Sequence, residues 1–456
     1  MTHVLFFAGF LLLPLLGLWT WRLEAVRRMD LAGRIAVAGA AGAVVAGVVM
    51  AVMSLVHVPW SRVTLLVILA VISLITWLPG SPVSRLPGRT LNVHLEDRAT
   101  GQPGNRVTAL ILAFLALTCY GLITARESAG DLHFFWGPKG IHFHHAGGFD
   151  VPFLANKTNP NSDYPPLLPI LYAWSMTVAR QFSWFAAVLA TALFLFGAAA
   201  ILRACSRDDL GTLLFVAAMS WTVAIGYAAG GADPPLVFFE MLALAALTFI
   251  DDERSRDILT AVGLAGAAWT KIEGSTFVIA VVLALILMRR GVKRTLLLAT
   301  PAFVLMIGWV AFLLYHRLIF GYGGAKMAIY PSSLAKTIEL VAKAGLFELY
   351  GLPWLIPIVL LGIGMRRGNL RRALFPLLVS ALTLCATVFF YIHIEDATWW
   401  IAASAPRVLL TPLTALIVAS VAVLQSRADG VVPQGEEAEG SGREADRDPG
   451  GTVGQV

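Results

Sequence analysis

The chain has 456 residues, of which 58% are hydrophobic and only 14% are charged, and its mean hydropathy is +0.76. Soluble globular proteins have about 45–50% apolar and about 25% charged residues, so this composition excludes a large soluble enzyme. The chain has only three cysteines, which excludes a disulfide scaffold. The net charge of +6 does not indicate nucleic-acid binding, because in a membrane protein the placement of Lys and Arg says more than their number.

Apolar segments of nearly membrane-crossing length recur along the whole chain. A bilayer core of about 30 Å needs about 20 helical residues, and fewer where protein shields one side. The sequence has 13 such segments and therefore predicts an all-α polytopic membrane protein with about 13 transmembrane helices. They cover residues 4–20, 35–58, 63–80, 107–125, 182–202, 211–229, 234–250, 258–270, 275–288, 295–315, 349–365, 373–392 and 407–425.

A further apolar stretch, 165–179, is short and opens with prolines. Lys and Arg gather in cytoplasmic loops of membrane proteins. If 165–179 does not cross, the loops on one side and the C-terminal tail hold 23 of the 34 Lys and Arg residues. This arrangement predicts an outer N-terminus, a cytoplasmic C-terminus and a helix at 165–179 lying along the outer membrane surface.

The longest outer connection, 126–164, is too long and too aromatic to be only a turn. It predicts a short interfacial helix followed by a Pro-rich loop. Asp131 comes a few residues after the preceding span, so its carboxylate is expected near the bilayer face, where a base could meet a lipid-linked substrate. The alternative is that Asp131 only caps a surface helix.

Two other outer turns carry charges. The apolar stretch 258–288 is interrupted by Lys271 and Glu273 and predicts a helical hairpin whose turn lies below the outer surface. Charges at membrane depth are expensive, so these side chains should face protein or a wet cavity, either lining an anionic ligand site or forming a structural ion pair. In the turn GYAAGGADPPL, Asp233 is predicted as the N-cap of the next helix, with Pro234 at its first position.

The last outer loop, HIEDATWWIAASAPR, ends with Arg407 at the start of the final span. Its tryptophans are typical of an interface belt. A guanidinium on the side where basic residues are sparse suits a phosphate, which it can bind by two parallel hydrogen bonds.

A metal site is not predicted from the residues. His142, His144 and His145 are too close in sequence to converge on one ion without a bent backbone, and no HExxH or CxxC motif is present. Solvated or phosphate-facing histidines are favoured, and Arg317 has no assigned role.

Taken in order, these motifs resemble a family. Asp131 with Trp136 and Lys139, then DYPPLLPILYAW at 163–174, then GYAAGGADPPL and TKIEG, resemble bacterial members of the GT-C superfamily, which includes protein O-mannosyltransferases and aminoarabinose transferases. The resemblance implies a GT-C-like fold with membrane-parallel outer-loop helices. It also implies transfer of a sugar from a polyprenyl-phosphate donor to a glycan, lipid or protein acceptor, on the extracytoplasmic face of a bacterial cell (inner) membrane.

The resemblance also implies roles for individual residues. Asp131 would be the general base of an inverting displacement, and Lys139, Lys271 and Arg407 would bind the departing lipid phosphate. The remaining substrate-binding candidates would bind sugar hydroxyls or orient those cations; they are Asp163, Tyr164, Asp233 and Glu273.

The sequence departs from the family pattern at two places. Asp131 is followed by Leu132 and His133 where many members carry a second acidic residue, and the usual Lys-Asn-Glu-Gly appears as Lys-Ile-Glu-Gly. Because of the first departure no cofactor is assigned, and a divalent cation is left open. The second departure leaves the role of position 272 open. The alternatives to a transferase are a transporter or lipid-linked sugar flippase, and a non-catalytic scaffold subunit.

The predicted organisation has four parts. They are N-terminal spans with a cytoplasmic loop (1–106), a catalytic membrane core (107–290) with the large outer loop 126–181, C-terminal spans (291–426) with outer loops 316–348 and 393–406, and a disordered cytoplasmic tail (427–456).

Overall fold

The computed structural model describes most of the predicted membrane region. The described residues are 1–77, 105–124, 130–156, 158, 162–223, 229–318, 331–343, 351–365, 370–393 and 397–425. Several predicted features lie outside them: the tail 427–456, most of the predicted cytoplasmic loop 81–106, much of the predicted outer loop 316–348, and Glu395 and Asp396.

Every regular element in the described part of the chain is a helix, which confirms the predicted all-α class there. The helices are α1 Thr2–Leu16, α2 Glu24–Arg27, α3 Leu31–Leu55, α4 Arg62–Trp77, α5 Asn105–Thr124, α6 Gly137–Ala146, α7 Val151–Ala155, α8 Leu167–Ala179, α9 Trp184–Ser206, α10 Asp209–Val223, α11 Asp233–Phe249, α12 Glu253–Thr270, α13 Ile272–Leu287, α14 Val292–Tyr315, α15 Pro331–Ala342, α16 Gly351–Met365, α17 Leu370–Tyr391, α18 Ala397–Val408 and α19 Leu410–Gln425. A 3₁₀ helix at Leu18–Arg22 and a π-helix at Leu132–Trp136 complete the set.

Among the described residues, six helical segments are long and apolar enough to cross a membrane. They are Thr2–Arg22, Leu31–Leu55, Trp184–Ser206, Val292–Tyr315, Leu370–Tyr391 and Ser404–Gln425. The chain thus has the character of a membrane-embedded helical protein. Several of the other predicted spans form apolar helices that are too short by this measure, including Ile272–Leu287, so the number 13 stays a prediction.

Small residues allow the helices to approach closely. A Cβ at Gly17 or Gly42 would overlap the backbone of the facing helix, because α1 and α3 pack main chain against main chain there. Such contacts are typical of membrane helices, which gain little from hydrophobic burial against one another and depend on close packing.

Helix α8 lies inside the protein. All of its residues except Val178 are buried, and the helix packs against α1, α3 and α6. The predicted surface helix at 165–179 is therefore covered by protein on nearly all sides, while its orientation to a membrane stays a prediction.

The predicted cytoplasmic loops meet at one end of the bundle. Arg203 is paired with Asp30 at 3.1 Å and with Asp209 at 2.7 Å, and the backbone N–H of Ala25 donates to Ser255 Oγ at 3.2 Å. Helix α12 runs from this end to Thr270, and 18 residues span about 27 Å at the helical rise of 1.5 Å per residue. The charges singled out in the outer turns lie around its far end.

Candidate functional site

Asp131 and Arg407 form an ion pair between two distant parts of the chain. Asp131 directly precedes the π-helix Leu132–Trp136, and its Oδ2 accepts a hydrogen bond from Nη1 of Arg407, which lies in α18. Both side chains are about one-fifth exposed. The Asp131 carboxylate makes no capping hydrogen bond, so helix capping does not explain its presence.

The environment of Asp131 favours a proton acceptor. Burial raises the pKa of its carboxyl group, and the nearby Asp233 carboxylate acts in the same direction, whereas Arg407 and Lys271 act to lower it. The net direction is upward. A carboxylate with a raised pKa is a stronger base than an exposed aspartate.

Lys271 lies at the break between α12 and α13, which confirms the predicted interruption of 258–288. Its backbone is extended (φ −156°, ψ 158°), so the first helix ends at Thr270 and the next begins at Ile272. A Cβ at Gly274 would overlap the Ala267 carbonyl, so the tight turn needs glycine at this position.

The Lys271 ammonium is held by two carboxylates. Nζ lies 2.8 Å from Asp233 Oδ1 and 3.0 Å from Glu273 Oε1, and both Lys271 and Asp233 are buried. The ion pair between Lys271 and Glu273, which the sequence offered as the alternative to a ligand site, is therefore present in the structure. It belongs to a larger group that also includes Asp233.

The prediction that Asp233 is the N-cap of α11 is wrong. The helix begins one residue earlier, with Ala232 in the cap position and Leu236 N–H donating to its carbonyl. An N-cap side chain accepts from the second or third helical N–H, and for Asp233 the second would be Pro235, which has none. Its carboxylate is used by Lys271 instead.

We call Asp131, Asp233, Lys271, Glu273 and Arg407 the charged cluster. Its members come from four separate parts of the chain, and Asp131 is close enough to Asp233 and Lys271 to interact electrostatically with both. Oδ2 of Asp233 and Oε2 of Glu273 are buried and have no hydrogen-bond partner. These two oxygens can accept hydrogen bonds from a ligand that carries hydroxyl groups.

Lys139 is not part of the charged cluster. It is only 2% exposed, and its Nζ donates to the carbonyl of Ser162 at 3.2 Å and of Tyr164 at 3.5 Å. Burial lowers the pKa of Lys139 to about 7, partly opposed by Asp163. These contacts fix the loop before α8, and the described contacts give no support to the prediction that Lys139 binds a donor phosphate.

Asp163 and Tyr164 belong to this same loop. The Asp163 carbonyl accepts from Trp309 Nε1 at 2.8 Å, and the Tyr164 ring lies edge-on to Trp136, 5.7 Å between centroids. Oδ1 of Asp163 is buried without a hydrogen-bond partner. Tyr164 thus contacts the π-helix that follows Asp131.

The turn before α11 packs directly on this π-helix. Gly230 has a left-handed backbone (φ +65°), and a Cβ there would overlap Leu132. The Tyr172 hydroxyl of α8 donates to the Gly230 carbonyl at 2.8 Å. Helix α8 therefore helps to position the Asp233 turn beside Asp131, although it carries no member of the charged cluster.

The histidines do not form a metal site. His142 stacks on Phe153 and lies 3.0 Å from Asp150 Oδ2, and the other oxygen of Asp150 caps α7. No three His, Cys, Asp or Glu side chains in the described ranges are arranged to hold a metal ion. The exposed Arg317 follows α14 and makes no contact with the charged cluster that would give it a role.

One buried acidic residue was missed in the sequence. Glu240 of α11 is completely buried, and its Oε1 accepts a hydrogen bond of 2.6 Å from Thr411 of α19. A lone acidic residue in the apolar run PPLVFFEMLALAAL was the available signal, since ionisable residues inside membrane helices are usually functional.

Comparison of the chain with known protein-family models, curated proteins and solved structures finds no match.

Proposed function

We propose that the protein is a membrane-embedded glycosyltransferase of the GT-C type, which uses a polyprenyl-phosphate-linked sugar as donor. The observation that carries this proposal is the pairing of Asp131 with Arg407 beside Lys271. It places one candidate base next to two cations, in a helical protein whose helices are long and apolar enough to lie in a membrane.

The reaction is a displacement at the anomeric carbon. The acceptor hydroxyl oxygen attacks this carbon while the bond from carbon to the phosphate oxygen breaks, and its electrons remain on the departing polyprenyl phosphate. Asp131 takes the proton of the hydroxyl. Arg407 and Lys271 stabilise the negative charge that develops on the leaving group. The sugar is therefore transferred with inversion.

The donor phosphate would also release the base. Arg407 holds the Asp131 carboxylate in the structure, and a phosphate can take over its guanidinium by two parallel hydrogen bonds. Asp131 then becomes available to the acceptor hydroxyl. This exchange makes binding ordered, with the donor first and the acceptor second.

Other residues would bind the sugar or support the site. The free oxygens of Asp233 and Glu273 accept hydrogen bonds from sugar hydroxyls. Lys139, with Asp163 and Tyr164, holds the loop that follows the site, and Asp163 keeps one carboxylate oxygen for a ligand. The acceptor is a glycan, lipid or protein hydroxyl, and the reaction is placed at the extracytoplasmic face of a bacterial inner membrane.

The direct test is transfer by purified protein in lipid nanodiscs. The protein is incubated with a panel of polyprenyl-phosphate sugars and acceptors, and donor consumption and the anomeric configuration of the product are measured. We expect consumption of one donor class and an inverted linkage. The proposal would be overturned if the protein neither binds nor consumes any of these donors, or if the product retains the anomeric configuration of the donor.

Glu240 favours a second candidate, a transporter or lipid-linked sugar flippase. It lies midway along α11, and transporters often carry ionisable residues at such depth. The two functions are separated by reconstituting the protein in liposomes with labelled donor. A flippase moves the labelled headgroup to the other leaflet unchanged, whereas a transferase consumes it only when an acceptor is present.

A further inference from the structure

Glu240 lies beneath the charged cluster on the same face of α11 as Asp233. Seven residues separate the two, which is two helical turns and about 10 Å along the axis. Glu240 is close enough to Asp233, Glu273 and Lys271 to interact electrostatically, but its hydrogen bond goes to Thr411. The proposed reaction makes no use of this buried carboxyl group.

Thr411 has the matching position beneath Arg407. It follows Arg407 by four residues, and helical positions four apart lie on one face, one turn from each other. The helix is interrupted between them only at Leu409. Pro412 accounts for this break, because it has no N–H to donate to the Val408 carbonyl.

The Thr411 hydroxyl bonds across helices. Threonines inside helices commonly donate to the carbonyl four residues earlier, as Thr414 does to Leu410 at 2.8 Å. Thr411 instead donates to Glu240 Oε1 at 2.6 Å. This bond joins α19, which follows α18 and its Arg407 after the break at Leu409, to α11, which begins with Asp233.

Glu240 is best held as a neutral acid. A charge in the middle of a membrane helix costs about 2.5–3.5 kcal/mol on insertion scales. Glu240 forms no ion pair among the described residues. The Lys271 ammonium is paired instead with the carboxylates of Asp233 and Glu273. A neutral carboxyl group avoids this cost and still accepts the Thr411 hydrogen bond.

We infer that Glu240 is a positioning residue for the charged cluster: through Thr411 it fixes the start of α19 against α11 and so sets Arg407 opposite Asp131. This inference depends on the ion pair and not on the transfer reaction. It assigns Glu240 no contact with substrate.

The experiment measures how strongly Asp131 and Arg407 interact in different backgrounds. Asp131→Asn, Arg407→Gln and the double variant are compared by melting temperature in detergent, and departure from additivity gives their coupling. The same cycle is repeated with Thr411→Val, Thr411→Ser, Glu240→Gln and Glu240→Leu. Thr414→Val is the matched control, because it removes a buried hydroxyl from the same helix without removing a bond between helices.

We expect Thr411→Val and Glu240→Leu to lower the coupling to less than half. Thr411→Ser and Glu240→Gln should preserve it, because they keep the hydroxyl donor and a neutral acceptor. Three results would each overturn the inference. The Asp131–Arg407 coupling could be unchanged in Thr411→Val, it could fall equally in Thr414→Val, or it could be absent in the wild-type protein. If Glu240→Leu does not fold, Thr411→Val decides alone. Absence of transfer activity would refute the proposed function and leave this result standing.

Discussion

Arg407 follows Asp131 by 276 positions, yet its guanidinium is the ion-pair partner of the Asp131 carboxylate. The pair joins the first long predicted outer loop to the last turn of α18. It therefore connects the candidate base to a candidate phosphate-binding cation before any substrate is bound.

Replacing Asp131 with Asn should abolish transfer while donor binding remains. Asparagine fills the same space but cannot take the acceptor proton, and general base catalysis contributes about 10²–10⁴-fold. The measurement is the initial rate together with binding of labelled donor. Asp150→Asn is the control, because Asp150 is in the same loop but caps α7. Turnover within a few-fold of wild type in Asp131→Asn would reject Asp131 as the base.

Replacing Arg407 with Lys should weaken donor binding. Lysine keeps the charge but loses the planar pair of N–H donors that matches a phosphate. We expect KM for the donor to rise about tenfold, equivalent to about 1.4 kcal/mol. The control is Arg317→Lys, which alters an exposed arginine after α14. An equal rise in KM in both variants would mean that the guanidinium of Arg407 has no specific role in binding the donor phosphate.

Much of the helical pattern follows from local sequence, whereas the site depends on distant contacts. The break at Lys271 was predictable because two charges and a glycine interrupt an apolar run. The partner of Asp131 was not, because nothing near it in sequence specifies Arg407. The contacts of Lys139 were not predictable for the same reason: the carbonyls to which it donates belong to Ser162 and Tyr164, more than 20 positions later.

Removing the Lys271 charge should destabilise the protein. Lys271→Met leaves Asp233 and Glu273 without their cation, and breaking a buried ion pair costs about 3–5 kcal/mol. The double variant Lys271→Met with Asp233→Asn should recover part of the loss, because one uncompensated charge is removed. Melting temperatures in detergent test both statements. A double variant less stable than Lys271→Met would contradict the pairing.

Lys139 should make stability depend on pH. Its pKa is about 7 in the folded protein and about 10.4 in an unfolded chain, so between these values the unfolded state binds more protons. Stability then rises with pH across this window, because folding releases the Lys139 proton and this release costs less free energy at higher pH. From pH 7 to pH 10, the melting temperature of the wild type should therefore rise relative to that of Lys139→Met. The control is Lys336→Met, which removes an exposed lysine charge from α15.

Gly274 should be required for the turn that holds Lys271 and Glu273 together. A Cβ at this position would overlap the Ala267 carbonyl, which is backbone and cannot rotate away. Overpacking of this kind costs about 1–3 kcal/mol, so Gly274→Ala should lower the melting temperature and weaken donor binding by moving Lys271. Gly291→Ala is the matched control, because a Cβ there meets nothing within 4 Å. If both variants melt like wild type, the close contact between α12 and α13 is absent, and Lys271 is not held in the charged cluster by the turn.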